Sequence, residues 1–375
     1  MDKVLAILRL KVLRPVDKAC ADTSPAGKKR FDPGVQDTLW TGKQDVASAD
    51  MAKCISIETA RQEAITEAVA VLSRGLPVAV PTETVYGLAA DATDPAAITR
   101  IYETKGRPRF NPLICHMADL RMAERYAAFD PVSRRLAERF WPGPLTLVLP
   151  LKPQSGIHPL ATAGLDTVGV RVPQGFAGDL IRAFGHPLAA PSANSSGKIS
   201  PTAARHVLDD LGGRIELVLD GGPCRVGVES TIVRVEPDRL RLLRPGGIAV
   251  EALEEASGLP VERPAGAGAA IEAPGMLASH YAPNAAMQLD AERIAPGDAL
   301  IRFAGTPVEG EEGARLVLDL SPDGDLAEAA ARLFDYMKKA DASGAAHIAV
   351  TPVPNRGLGE AINDRLKRAA APRES

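Results

Sequence analysis

Stretches of helical period alternate with short apolar runs from residue 58 almost to the C-terminal end of the chain. Ile65, Ala68, Val69 and Leu72 recur at helical spacing, and Gly75 is a stop signal, so the pattern predicts a helix over 58–73. The apolar run 76–80 predicts a short buried strand, the first of the sheet, and a polar cluster begins where it ends. Residues 95–103 predict a second helix, with Asp94 as N-cap and with Lys105 and Arg107 just past its C-terminal end. A third helix is predicted over 131–140, closed by Trp141-Pro142-Gly143-Pro144. Strand-like runs follow at 145–149, 167–172, 188–190, 217–219, 230–235 and 240–243. This interleaving predicts an α/β fold built on an open, twisted, mixed sheet with helices.

Between 258 and 286 the chain turns rich in Ala, Gly and Pro, the composition of a linker. Beyond it, strands are predicted at 299–303, 316–318 and 347–350, an amphipathic helix at 326–340 and a last helix at 359–370. That alternation suits a small Rossmann-like α/β domain; no G-x-G-x-x-G occurs, so no dinucleotide is inferred. The first fifty residues mix charge, Gly and Pro without period and read as a disordered extension or an over-extended start ahead of Met51. The division expected is therefore an extension at 1–50, a main domain at 51–258, a linker or lid at 259–286 and a C-terminal domain at 287–375.

Composition narrows the classes. The chain has 375 residues, 45% of them hydrophobic, which allows more than one core. Its net charge of −3 divides as +2 over 1–50, −1 over 51–286 and −4 over 287–375, so no broad basic face is available for nucleic acid. Aromatic residues make up only 4%, with no base-stacking pattern. Cys20, Cys54, Cys115 and Cys224 show no C-x-x-C spacing, which points to a reducing compartment and no structural zinc. The apolar run 4–13 is broken by Arg9 and Lys11, and no uninterrupted 18-residue apolar span follows; a cytoplasmic protein without a membrane partner is expected.

The chemistry-bearing positions fall in five clusters. Val80-Pro81-Thr82-Glu83-Thr84-Val85-Tyr86-Gly87-Leu88 is followed by Lys105-Gly106-Arg107-Pro108, with Asn111 and His116 close behind. Pro191-Ser192-Ala193-Asn194, Val228-Glu229-Ser230-Thr231 and Leu243-Arg244-Pro245-Gly246 come later. In this order the motifs resemble the YrdC-like family. Ser279-His280-Tyr281-Ala282-Pro283, with a further domain's length after it, resembles the two-domain branch of that family, the L-threonylcarbamoyladenylate synthases. The resemblance implies an enzyme that forms threonylcarbamoyl-AMP and pyrophosphate from L-threonine, bicarbonate and ATP, for N6-threonylcarbamoyladenosine in tRNA. It implies Mg²⁺ arriving with ATP, no tightly bound cofactor, a threonylcarbamoyl transferase as downstream partner, and tRNA met only indirectly or transiently.

Acyl-adenylate formation needs an electrophilic α-phosphate, an in-line carbamate oxygen and stabilised pyrophosphate charge, so positioning and electrostatics dominate. Lys105 and Arg107 suit that task as candidate catalytic cations. No Walker loop is present, and the resemblance assigns the nucleotide to Arg107, Asn111, Thr167, Ser192, Asn194, Ser200, Arg244 and Tyr281. It assigns L-threonine to Thr82, His116, Arg171, Ser230 and the main chain of Ala190. Arg171 lies in a Val-flanked strand, where an unpaired charge is costly, so a carboxylate ligand is expected for it. Glu83 and Tyr86 can equally be structural, and the resemblance makes His280 and Tyr281 a lid. Two other readings stay open here: a noncatalytic double-stranded RNA binder, and a carbamoyl-phosphate enzyme like the YrdC-like portion of hydrogenase-maturation carbamoyltransferases. The near-neutral middle segment argues against the first, and the absence of acylphosphatase-like and zinc-finger parts against the second.

Overall fold

In the computed structural model of the protein, residues 51–263, 272–274 and 280–372 are described. The extension expected at 1–50 lies outside them, as do residues 264–271 and 275–279 of the expected linker. The chain begins with β1 (Lys53–Ser56), α1 (Arg61–Ser73), β2 (Val78–Val80), β3 (Gly87–Asp91), α2 (Pro95–Lys105), β4 (Ile114–His116), α3 (Leu120–Tyr126) and α4 (Pro131–Phe140). It continues through β5 (Leu145–Pro150), α5 (Pro159–Thr162), β6 (Thr167–Arg171), α6 (Phe176–Phe184), β7 (Leu188–Ala189) and α7 (Ala204–Leu211). Next come β8 (Leu217–Asp220), β9 (Thr231–Val235), β10 (Leu240–Arg244), α8 (Val250–Ser257) and β11 (Val261–Glu262).

Among the described residues these strands form an eleven-stranded mixed sheet in the order β1-β8-β2-β3-β7-β4-β6-β5-β9-β10-β11. The short central strand β7 is antiparallel to both β3 and β4, whereas β4 and β6 are parallel. The loops after β2 and β7 and the loop before β4 therefore meet near the middle of the sheet. A second, all-parallel sheet follows, ordered β12 (Ala286–Gln288), β15 (His347–Val350), β13 (Ala299–Arg302), β14 (Leu316–Asp319), with α9 (Leu326–Ala342) and α10 (Gly359–Ala370). The α/β class, the mixed sheet and the second α/β domain are as expected.

Several boundaries differ from the pattern reading, each for a local reason. The first strand is β1, ahead of α1, and it is an edge strand too short to show a period. The polar signature runs into β3, Gly-Leu-Ala-Ala-Asp, whose uniformly buried small residues give no alternation to read. Helix α2 begins as expected, with the Asp94 carboxylate accepting from the Ala96 N–H at 2.8 Å, but runs two residues further. Lys105 is thus its last residue rather than past its end, and Gly106 stops it in the left-handed conformation at φ 60°. Residue 286, expected as the last of the linker, opens the edge strand β12, which runs on into the expected C-terminal domain. No helix of the described residues is long and apolar enough to cross a membrane.

The two domains share an apolar cluster: Val85, Ile199 and Val228, from loops of the first sheet, pack with Leu333, Phe334, Ile362 and Leu366 from α9 and α10. At Gly227 (φ 74°) the backbones approach so closely that a Cβ would lie 2.4 Å from the Ala330 carbonyl oxygen. Alanine at Gly227 is therefore expected to cost about 1–3 kcal/mol more than alanine at Gly258, which has φ 72° but open space around it. Gly258→Ala should show only the left-handed penalty of about 1–2 kcal/mol. Denaturant unfolding of both variants checks this, and equal losses would contradict the close approach.

Candidate active site

The loop between β2 and β3 is held in shape by its own side chains. Thr82 Oγ1 donates to the Val85 carbonyl at 2.6 Å and accepts from the Thr84 N–H at 3.2 Å. The loop is laced to the turn after β7: the Leu88 N–H donates to the Pro191 carbonyl and the Ala193 N–H to the Tyr86 carbonyl. Tyr86 is structural, its hydroxyl donating to the Gly222 carbonyl at 2.7 Å. Burial pushes its pKa up, which keeps it a neutral donor. Glu83 is structural as well: Oε2 accepts from the Gln174 N–H, and Oε1 lies 2.7 Å from Arg171 Nη2.

These loops surround a cleft of about 580 Å³. Thr82, His116, Arg171, Ala190 and Ser230 line it, and so do Arg107, Ser192, Arg244, His280 and Tyr281. Ten of the fifteen residues singled out from the sequence thus share one wall system. The other five do not line it. Asn111, Asn194, Ser200 and Lys105 are buried behind the wall, and Thr167 lines an adjoining smaller cavity of about 260 Å³ together with Thr146. Asn111 and Asn194 each keep a buried side-chain oxygen without a hydrogen-bond partner.

The cleft is cationic. Arg107, Arg171 and Arg244 are 9%, 4% and 5% exposed, so their charges are almost wholly withdrawn from bulk water. Arg107 donates to the Asn111 and Pro112 carbonyls, and burial lowers its pKa to about 10, leaving it charged. Arg244 donates to the Ser230 carbonyl at 3.0 Å and to Ser230 Oγ at 3.2 Å. Arg171 donates from Nε to the Gly143 carbonyl. Glu83 Oε1 lies 2.7 Å from its Nη2, so the chain itself supplies one carboxylate partner. Lys105 does not line the cleft; its Nζ donates to the Ser192 carbonyl at 2.6 Å and to the Asn194 carbonyl. Burial, then the charge of Arg107, lowers its pKa well below the usual lysine value.

Both histidines of the site are neutral at ordinary pH. Burial and then the Arg171 charge push His116 well below its usual value. Burial together with Arg107, Lys105 and Arg244 takes His280 to about 3, against the opposing pull of Glu229. His280 and Tyr281 are buried parts of the cleft wall: their rings meet at 4.1 Å, and Tyr281 also packs on Phe334 of α9 at 5.3 Å.

Two residues that the sequence reading did not assign to the site stand out. Glu229 lines the cleft, accepting from Ser200 Oγ at 2.6 Å and from Arg365 Nε at 2.8 Å. Burial alone would raise its pKa, but Arg365, Arg244 and Ser200 outweigh that and hold it at about 2. Arg365 belongs to α10 and has no exposed surface; it also lies 5.4 Å over the Tyr281 ring. Each was detectable by the argument applied to Arg171, since Glu229 follows Val228 and Arg365 interrupts the apolar face formed by Ile362, Leu366 and Ala369.

The Sua5_yciO_yrdC family model, described as "Telomere recombination", matches residues 70–246. The model described as "Threonylcarbamoyl-AMP synthase, C-terminal domain" matches residues 248–371. The threonylcarbamoyl-AMP synthase of Bacillus subtilis is 42% identical over 325 residues, 82% of this chain and 93% of the relative. That of Pyrococcus abyssi is 43% identical over 317 residues, 80% of this chain and 92% of the relative. The structure of P. abyssi Sua5 complexed with L-threonine superposes with a TM-score of 0.74 at 37% identity, covering 85% of this chain and 98% of that one. With both domains matched, and a relative covered almost from end to end, the chain belongs to the threonylcarbamoyl-AMP synthase family.

Proposed function

We propose that this cleft converts L-threonine, bicarbonate and ATP into threonylcarbamoyl-AMP and pyrophosphate, the activated donor for N6-threonylcarbamoyladenosine in tRNA. The observation that carries the reading is the buried pair Arg107 and Arg244, facing a cleft whose lining carboxylate, Glu229, is already neutralised by Arg365. Every proposed substrate brings negative charge to such a site: a carboxylate, a bicarbonate and a triphosphate. A duplex RNA backbone could not reach cations so deeply withdrawn, which disfavours the RNA-binding alternative.

In the proposed reaction the threonine nitrogen bonds to the bicarbonate carbon with loss of water, giving a carbamate. A carbamate oxygen then bonds to the α-phosphorus as the bond to pyrophosphate breaks. Arg107 and Arg244 stabilise the charge that develops on the phosphates, a preorganised contribution that needs no protein nucleophile. Thr82, His116, Arg171, Ser230 and the main chain of Ala190 surround threonine, the neutral His116 offering hydrogen bonds and no charge. Ser192 and Tyr281 contact the nucleotide directly; Asn111, Asn194 and Ser200 fix the wall behind it, and Thr167 takes part through the adjoining cavity. Lys105 spends two of its three N–H groups on the Ser192 and Asn194 carbonyls and contributes its charge and one further donor.

Among the described residues no three His, Cys, Asp or Glu side chains are grouped as a metal site. Glu229 is committed to Arg365 and Ser200, so Mg²⁺ would arrive with the triphosphate and supply charge neutralisation there. A cytoplasmic setting and hand-over of the product to a threonylcarbamoyl transferase complete the proposal.

Incubation with labelled bicarbonate, threonine and ATP is expected to yield a labelled adenylate and pyrophosphate; absence of both would overturn the reading. Arg107→Ala should lower adenylate formation by at least about 100-fold with the fold intact. Near-normal turnover in that variant would remove Arg107 from the chemistry. Arg171→Lys keeps a cation for Glu83 but loses the planar fork. Calorimetry should show threonine binding weakened at least about tenfold, a loss of about 1.4 kcal/mol, with ATP binding nearly unchanged. Equal losses for both ligands would contradict the assignment of Arg171.

A further inference from the structure

Behind the cleft, a ring of polar contacts ties three elements together. Lys105, at the end of α2, holds the turn after β7 through the Ser192 and Asn194 carbonyls, while its own carbonyl accepts from the Ser196 N–H at 2.8 Å. On the other side of that turn, the Asp210 carboxylate of α7 accepts from the Ser195 N–H at 2.7 Å and from Ser195 Oγ at 2.5 Å. Arg214 closes the ring. Its Nη2 donates to Ser195 Oγ at 2.6 Å and to Asp210 Oδ1 at 3.1 Å, and its Nη1 donates to the Thr104 carbonyl at 2.6 Å, one residue before Lys105.

An Asp–Arg pair four residues apart at a helix end is ordinarily a surface contact of little consequence. Here Asp210 also holds the turn that presents Ser192 to the cleft, and Arg214 reaches both that turn and the helix end that carries Lys105. Neither Asp210 nor Arg214 lines the cleft.

We propose that Asp210 and Arg214 are positioning residues for adenylate formation, acting through Ser195 on the 192–194 turn and on the Lys105 ammonium clamped to it. This rests on the reaction proposed above. The charged and titratable groups facing Lys105 are Arg107 from the loop after α2, Asp210 and Arg214 from α7 and its C-terminal loop, and His280 from the far wall. Asp210 favours the protonated ammonium, whereas Arg214, like Arg107 and burial, disfavours it. Removing either partner breaks the same ring, but the two removals push the ammonium in opposite directions. A merely structural brace has no such asymmetry.

The test uses the full-length protein with Asp210→Asn and Arg214→Gln, each followed by thermal unfolding, steady-state kinetics from about pH 6 to pH 10, and hydrogen exchange of the 192–198 segment. Both variants are expected to keep the wild-type unfolding midpoint, to lose about tenfold or more in kcat with little change in KM for threonine, and to exchange faster in that segment. The alkaline limb of the kcat profile should move to lower pH in Asp210→Asn and to higher pH in Arg214→Gln. Unchanged kcat, unchanged exchange, or limbs moving in the same direction would overturn the proposal. Faster exchange in variants of a wild-type protein that makes no adenylate would leave the brace standing and would overturn the reaction instead.

Discussion

The buried pair Glu229–Arg365 is the constraint on which the cleft depends. Arg365 is fully buried on the last helix, and Glu229 lies in the loop before β9, so their contact of 2.8 Å joins the C-terminal domain to the wall of the cleft. Withdrawing two ions from water costs several kcal/mol each, recovered only when their remaining donors and acceptors are also satisfied. Ser200 Oγ satisfies the second oxygen of Glu229, and the Pro245 carbonyl and Asp364 take Nη1 of Arg365, while Nη2 of Arg365 is buried without a hydrogen-bond partner among the described residues. With Glu229 held at about 2, the carboxylate is ionised at any working pH, and the pair's contribution to stability persists until the pH falls from the ordinary carboxylate range towards that value.

From that joint the remaining geometry follows. Arg365 lies over the Tyr281 ring and bonds to Pro245 in the turn that also carries Arg244, while Tyr281 packs on Phe334. Val85 of the signature loop and Val228 beside Glu229 share an apolar cluster with α9 and α10. Glu229 is thereby neutralised by a cation from the far domain, which leaves Arg107 and Arg244 without a carboxylate partner inside the cleft. The charge left over is what suits anionic substrates. The C-terminal domain is therefore more than an appended unit, since it supplies the counter-charge that keeps the cleft cationic.

Much of this was legible in the sequence, and the exceptions share physical causes. Helices with a clear period and a cap, such as α2 with Asp94 and Pro95, and α10, whose bounds agree with the pattern, were readable because local signals decide them. Strands β1, β3 and β4 were not, being three to five residues long and placed by pairing with distant segments. Motif positions identified the cleft well, yet they did not reveal which charges neutralise one another. Arg171 finds its carboxylate in Glu83, 88 positions earlier, and Glu229 finds its cation 136 positions later, pairings that sequence spacing does not encode. Lys105 was identified as a cation of the site, but its orientation towards the Ser192 and Asn194 carbonyls depends on how the turn after β7 folds back onto α2.

A double-substitution cycle on the joint tests this account most directly. Glu229→Leu or Arg365→Met alone strands a buried charge, so each is predicted to cost about 3–5 kcal/mol of stability, whereas the pair of substitutions together should cost much less than the sum. The double variant should then fold with both sheets intact but bind ATP and threonine poorly, because Tyr281 and the Arg244 turn have lost their anchor. Additive stability losses, or a stable double variant with wild-type ligand affinity, would contradict the claim that this one ion pair joins the C-terminal domain to the function of the cleft.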